Sequence, residues 1–316
     1  MTTKQVPLVE TLAFAANATR TLPLEKVGLI TDLMLRVRFQ YDNSSGAPNE
    51  DALARIIKGI AIRDGQGHSW WACGDGRQLH WLNFLQFQGQ VRMDVLGSGA
   101  VSNQIAEALW RIHFGVNPLN LFDPSSGIPA AELGSLALEI TWGSAAVDFG
   151  STISIDSGTV TVTPATILAG PQYNAVRRDL LLPNYRWEKY DIPSVLGELG
   201  LQRELPAGNI LRGTAILVVD TSDDRSDVEI SEVGYRKVLE NTVPWRENWN
   251  TLLGYTQARF GLPALPSGIA MVNWGQIIGE PALDLRRRLP GQDVLGFTSL
   301  LATGDIWLLH QAYAKG

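Results

Sequence analysis

Between Leu33 and Tyr41 apolar side chains take every second position (Leu33, Leu35, Val37, Phe39, Tyr41), with Met34, Arg36, Arg38 and Gln40 between them. A period of two sends the two sets to opposite faces of a strand, whereas a helix built on these apolar positions would have to bury arginines. The pattern predicts a half-buried strand, entered from Arg20-Thr21-Leu22-Pro23 through a turn at Gly28. The chain later repeats the arrangement as Arg203-Glu204-Leu205-Pro206, a shorter turn with Gly208 and Asn209, and a long strand from Ile210 to Asp220. A spacing of roughly 180 residues is too long for a solenoid unit and suits two copies of one small domain.

The same reasoning places strands at Leu53 to Arg63, His68 to Cys73, Leu79 to Phe87, Leu136 to Trp142 and Gly158 to Thr163. In the second half it places them at Val228 to Val238, Ile269 to Trp274, Val294 to Leu301 and Ile306 to Tyr313. One helix is expected in each half. Val101 to Ile112 puts Ile105, Ala108, Leu109 and Ile112 on one helical face, and Trp245 to Phe260 does so with Trp249, Leu252, Leu253 and Phe260. Pro171, Pro183 and Pro193 mark a connection between the halves. Residues 1–19 turn from polar to apolar and are read as an N-terminal arm, a short amphipathic helix being the alternative. The expected division is an arm at 1–19, a first domain at 20–169, a connection at 170–195 and a second domain at 196–316.

Composition narrows the function. Lys and Arg number 26 against 32 Asp and Glu, a formal charge of -6, so no general basic field is available for nucleic acid and no sequence-specific nucleic-acid binding is expected. The single cysteine, Cys73, cannot form an intrachain disulfide, and no charged-then-apolar leader precedes Leu8, which predicts synthesis in a reducing cytoplasm. With 31 Gly, 16 Pro and ten Trp in a chain only 18% charged, an all-β protein is the natural expectation.

Candidate chemistry does not assemble. Val95-Leu96-Gly97-Ser98-Gly99-Ala100-Val101-Ser102 imitates a glycine-rich dinucleotide loop, but Ser102 stands at the third glycine position and no strand and helix series surrounds it. His68, His80, His113 and His310 have no metal-ligand spacing, and neither a Gly-x-Ser-x-Gly elbow nor a clustered His and Glu set is present. The acidic run Asp220 to Asp227 lacks the glycine and terminal Glu of a calcium loop and reads as a solvated turn. No catalytic, cofactor-binding or metal-binding residue is therefore assigned. The tryptophans invite a carbohydrate-binding reading, yet they are scattered over both halves, which favours core and subunit-contact roles. Asn17-Ala18-Thr19 and Asn43-Ser44-Ser45 match the glycosylation acceptor pattern and are read as chance matches.

Arg20-Thr21-Leu22-Pro23, Gly28 to Leu33 and Leu53 to Ile62, in that order, resemble the first barrel of double jelly-roll major capsid proteins. Leu205 to Gly213, Gly268 to Trp274 and Pro281 to Asp284 resemble the second barrel. The family belongs to tailless icosahedral viruses, bacteriophages among them, of the tectivirus and adenovirus lineage. The resemblance implies two consecutive eight-stranded jelly rolls, each with a short helix between strands, in a homotrimer that forms a pseudo-hexameric capsomer. It further implies neighbouring capsomers, vertex or minor capsid proteins, and an internal membrane met through the arm as partners, the virion as location, and no cofactor. The rival expectation is a non-viral β-sandwich module that binds carbohydrate. In the trimer, some tryptophans are expected at the subunit contact.

Overall fold

A computed structural model describes residues 4–5, 10–115, 117, 119–168, 181–279, 282–301 and 303–315. The chain forms two compact units, Met1–Pro183 with Lys315–Gly316, and Asn184–Ala314. The first unit holds β1 (Lys4–Gln5), β2 (Glu10–Ala13), β3 (Thr19–Pro23), β4 (Leu29–Asn43), α1 (Ala52–Arg55), β5 (Ile57–Asp64) and β6 (Ser69–Cys73). It continues with α2 (Gly76–Gln86), β7 (Val101–His113), β8 (Leu136–Trp142), α3 (Ala145–Asp148) and β9 (Ile153–Ile167), and β10 (Leu181–Pro183) follows. One sheet has the order β9-β4-β7, with β1 and β2 paired to β9, and the other runs β3-β8-β5-β6.

The second unit comprises β11 (Arg186–Asp191), β12 (Leu201–Glu204), β13 (Ile210–Val219), β14 (Ile230–Lys237), β15 (Thr242–Asn248) and α4 (Trp249–Phe260). After these come β16 (Ile269–Asn273), α5 (Trp274–Ile278), β17 (Leu283–Asp284), β18 (Asp293–Ser299) and β19 (Asp305–Lys315). Its sheets run β11-β19-β13-β16, with β17 on β13, and β12-β18-β14-β15. The two units share one connectivity: β2 corresponds to β11, β3 to β12, β4 to β13, β5 to β14, β6 to β15, α2 to α4, β7 to β16, β8 to β18 and β9 to β19. Two antiparallel sheets connected in this order make a jelly roll, so the chain is a double jelly roll. The repeat seen in the sequence is the passage from β3 to β4 and from β12 to β13. Gly28 and Gly208 both have positive φ there, at 66° and 80°.

The alternation in β4 is realised as read: Leu33, Leu35, Val37, Phe39 and Tyr41 are buried, whereas Arg36 and Arg38 are exposed. Phe39 packs edge-on against Phe14, Trp142 and Phe149 at centroid distances of 5.4, 5.9 and 5.3 Å, giving the first core an aromatic centre. The second core gathers Tyr235, Trp249, Trp274 and Phe297 with aliphatic residues of both sheets.

Four local expectations are corrected. Val101 to Ile112 is not a helix but β7, paired with β4 along nearly its whole length. The helical spacing merged two strand faces: Ala106, Ala108, Trp110 and Ile112 point inward, while Ile105 and Leu109 point outward. The helix of this half lies at Gly76–Gln86, where a strand was expected. It is buried almost all round, so it shows no apolar stripe, and its start is capped by the Asp75 carboxylate accepting from Arg77 N. Ala52–Arg55, expected at the head of a strand, is a helical turn before β5. Arg186–Asp191, inside the expected connection, is β11; its charged side chains at an open edge mask the alternation.

The segment expected as an arm also contributes to a sheet. Glu10–Ala13 pairs with Thr159–Val162 of β9, and Leu12 is buried beneath it. Four residues are too few to display a period. Among the described residues, no helix is long and apolar enough to cross a membrane.

Candidate functional site

The residues considered for chemistry lie apart and are engaged in the fold. The glycine-rich stretch opens strand β7 rather than a helix, so it has no ring of free helix N–H groups to cradle a phosphate. Instead Gly97 N donates to Tyr41 Oη at 2.8 Å, Gly97 O accepts from Asn43 Nδ2 at 2.9 Å, and Gly99 N reaches Gly46 O at 3.2 Å. Those contacts also hold Asn43, 2% exposed, away from any glycosylating enzyme. Asp220 Oδ1 accepts from Ser222 N and Asp224 N, and Asp227 Oδ1 from Trp249 Nε1 and Gly268 N, so these two carboxylates of the acidic run shape its turn.

Three histidines are buried and one is exposed. His80 Nδ1 accepts from Trp110 Nε1 at 3.2 Å, His113 Nδ1 lies 2.9 Å from Asp32 Oδ2, and His310 Nδ1 lies 3.0 Å from Thr214 Oγ1. His68 is at the surface, edge-on to Trp70. Burial, and then Asp75, push the Cys73 thiol far above its ordinary range, which makes it a poor nucleophile. Among the described residues, no three His, Cys, Asp or Glu side chains come together as a metal site.

What the surface offers is apolar area. On the first unit, the segment Arg92–Asp94 runs beside β7, with Asp94 N donating to Glu107 O and Leu109 N to Arg92 O. Beside it stand Val95, Ile105 and Leu109, exposed by 92, 51 and 39%. Arg36, Arg38 and Arg92 converge on Glu107 there, and Asp94, held by Arg92, stays ionised below the usual carboxylate range. On the second unit the exposed aliphatic residues gather at the two ends of β14. Val238, Leu239, Val243 and Leu289 lie near its Lys237 end, and Val195, Val228, Leu300 and Leu301 near its Ile230 end. These side chains leave each unit with apolar area open to solvent.

The tryptophans divide sharply. Trp70, Trp71, Trp81, Trp110, Trp142, Trp249, Trp274 and Trp307 are buried within the chain, leaving Trp187, 39% exposed, and the half-buried Trp245. Only these two of the ten have ring area left for a partner. Trp187 stacks on Trp307 at 6.0 Å. Sequence reasoning could not rank the indoles, because burial of an aromatic ring depends on which strand face carries it.

No known family's sequence model matches the chain, and no curated protein does. Its architecture is nevertheless shared over full length with solved structures. The STIV major capsid protein, from Sulfolobus Turreted Icosahedral Virus, superposes with a TM-score of 0.83 at 14% identity, covering 99% of this chain and 96% of that one. The PBCV-1 virus capsid gives 0.64 at 8% identity, with 99 and 95% covered. The major capsid protein of bacteriophage PM2 gives 0.52 at 10% identity, with 98% of each chain covered. The fold is thus the double jelly roll found in viral major capsid proteins.

Proposed function

We propose that this chain is the major coat subunit of an icosahedral virion. The observation that carries the reading is the end-to-end match of both barrels and their order to the STIV major capsid protein, with little of either chain left over. Two similar lobes per subunit give six lobes about a threefold axis, a shape that packs on a hexagonal net. In this reading three chains close a pseudo-hexameric ring, capsomers tile the shell, and no catalytic step is required. Contacts with vertex or minor capsid proteins, and with an internal membrane through the N-terminal segment, complete it; synthesis takes place in the host cytoplasm. The ring contact should bury at least about 2,000 Å² and draw on the apolar surfaces described above.

Sedimentation of the purified chain at micromolar concentration should report three chains and no smaller folded species, and electron microscopy should show ring-shaped particles or nets. A stable, folded monomer under those conditions would overturn the reading and favour an isolated β-sandwich binding module.

A further inference from the structure

The second unit holds a cavity of about 320 Å³ between β15, α4, β16 and α5. Trp245 and Tyr255 supply its aromatic surface, and Tyr255 is 58% exposed. Among the described residues neither ring stacks on another aromatic side chain. Its polar side chains are Glu247, Arg259, Asn273, Gln276 and Thr256, whose hydroxyl is already bonded to Leu252 O and Met271 N. Asn273 spends Oδ1 on capping α5 through Gln276 N at 3.1 Å, which keeps its amide N–H groups as donors. Arg259 and Glu247 belong to no ion pair among the described residues. The guanidinium is partly desolvated beside a second cation, Arg212, and both effects weaken its hold on its proton. An anion brought to Arg259 would relieve that repulsion.

The volume is near the lower end of small-molecule sites, about 300–1,000 Å³, which suits a single ring of six or so atoms. Flat aromatic surfaces match the C–H face of a pyranose, amides and a carboxylate exchange hydrogen bonds with its hydroxyls, and a guanidinium receives a carboxylate in bidentate fashion. We propose that this cavity binds a carboxylated sugar, a hexuronic acid unit, with its ring against Trp245 and Tyr255 and its carboxylate on Arg259. The site is a property of the second unit and does not depend on the coat assignment. If the chain does form a shell, the site is repeated over it, and many weak contacts add up to firm attachment to a glycan surface.

Titration of the full chain with methyl β-D-glucuronide and methyl β-D-glucoside, followed by tryptophan fluorescence and saturation-transfer NMR, tests the proposal. The glucuronide should bind saturably with a Kd on the order of 1 mM, as befits a ligand of this size, and the glucoside on the order of tenfold more weakly. Arg259→Gln should erase that preference. Tyr255→Ala, at an exposed position, and Trp245→Ala should each weaken both sugars, with circular dichroism checking that the variants are folded. Absence of a saturable response to the glucuronide, equal binding of the two sugars, or displacement by acetate as effectively as by the glucuronide would each overturn the sugar assignment. Sedimentation of the same sample reports on the coat reading separately.

Discussion

The two barrels reach the same strand order with different polar interiors. In the first, Asp32 is fully buried between β4 and β7, accepts from Arg111 Nη2 at 2.5 Å and, through both oxygens, from Arg111 Nε at 3.1 and 3.2 Å, and is met by His113. A second buried ion pair, Arg77 with Asp75, starts α2. In the second barrel, the corresponding sheet is held by a network that, among the described residues, has no buried carboxylate, Trp274 Nε1 donating to Thr214 Oγ1, which in turn meets His310. The half-buried Glu188 lies 3.9 Å from the other ring nitrogen, and this barrel's buried Asp293 lies on the opposite sheet, against Tyr235. A buried carboxylate is tolerated only when its oxygens are satisfied, so losing one partner of Asp32 leaves an uncompensated charge, whereas the Thr214 network loses only a hydrogen bond. Connectivity is therefore specified by the apolar alternation that both halves share, and the polar interior is free to differ.

The most damaging test strikes that shared alternation. Val37, in the centre of β4 and 0% exposed, should not accept a carboxylate: Val37→Asp is expected to cost several kcal/mol, about 3–5. Arg38→Asp, one residue along, should cost far less, about 1 kcal/mol, since Arg38 is itself exposed and Glu107, which loses its 3.5 Å contact and gains a like charge beside it, is still held by Arg36 and Arg92. Val218→Asp on the buried face of β13 should behave as Val37→Asp does. Equal unfolding midpoints for the Val37 and Arg38 variants would contradict the register of β4.

A smaller effect separates the two copies of the turn. A Cβ on Gly28 would stand 2.0 Å from Ile167 O, while one on Gly208 would meet nothing within 4 Å. Both residues adopt positive φ, so Gly208→Ala should cost the left-handed strain alone, about 1–2 kcal/mol. Gly28→Ala adds displacement of β9 from β4 and should lose at least about 3 kcal/mol. Thermal unfolding of the two variants compares them directly, and equal losses would mean that the turns are not differently packed.

Legibility from sequence followed the physics of exposure. Strands with one wet face, such as β4, β8 and β9, announced themselves by alternation, and the repeated turn exposed the duplication. Elements wet on neither face or on both did not: α2 is enclosed, β7 carries apolar Ile105 and Leu109 outward, and β11 is charged at an open edge. The cavity of the second unit was less visible still. Its lining comes from four elements spread over residues 245–277, and no spacing of Trp245, Arg259 and Asn273 along the chain marks them as neighbours. That only Trp187 and Trp245 keep ring area open to a partner could be read only once burial was known.

The smallest prediction concerns a place where the barrels differ in detail. In both, the passage between the last two strand pairs returns to the start of the long strand: Ile128 bridges Ile30 in the first, and Leu283–Asp284 pairs with Ile210–Leu211 in the second. Among the described residues, only the second secures this return with a fork, Arg286 Nε and Nη2 donating to Asp284 at 2.9 and 2.6 Å. That hydrogen bond first, with a backbone N–H and the charges of Arg286 and Arg287 adding to it, lowers the Asp284 pKa from 3.8 to about 2. Because the folded value is depressed, the contribution is fully present above the unfolded pKa of 3.8 and is lost as pH falls through about 2. Both side chains are exposed, so the effect should stay below about 1 kcal/mol. Asp284→Asn should thus be slightly less stable than the native chain at pH 6, and the difference should shrink steadily below pH 4, when urea unfolding is compared at low ionic strength. Glu232 is depressed in the same direction by Arg246 and Thr298, but it is present in both chains and cancels from the difference. A gap between the two chains that persisted unchanged to pH 2 would show that Asp284 acts through shape rather than charge, and the fork would then not distinguish the second barrel electrostatically.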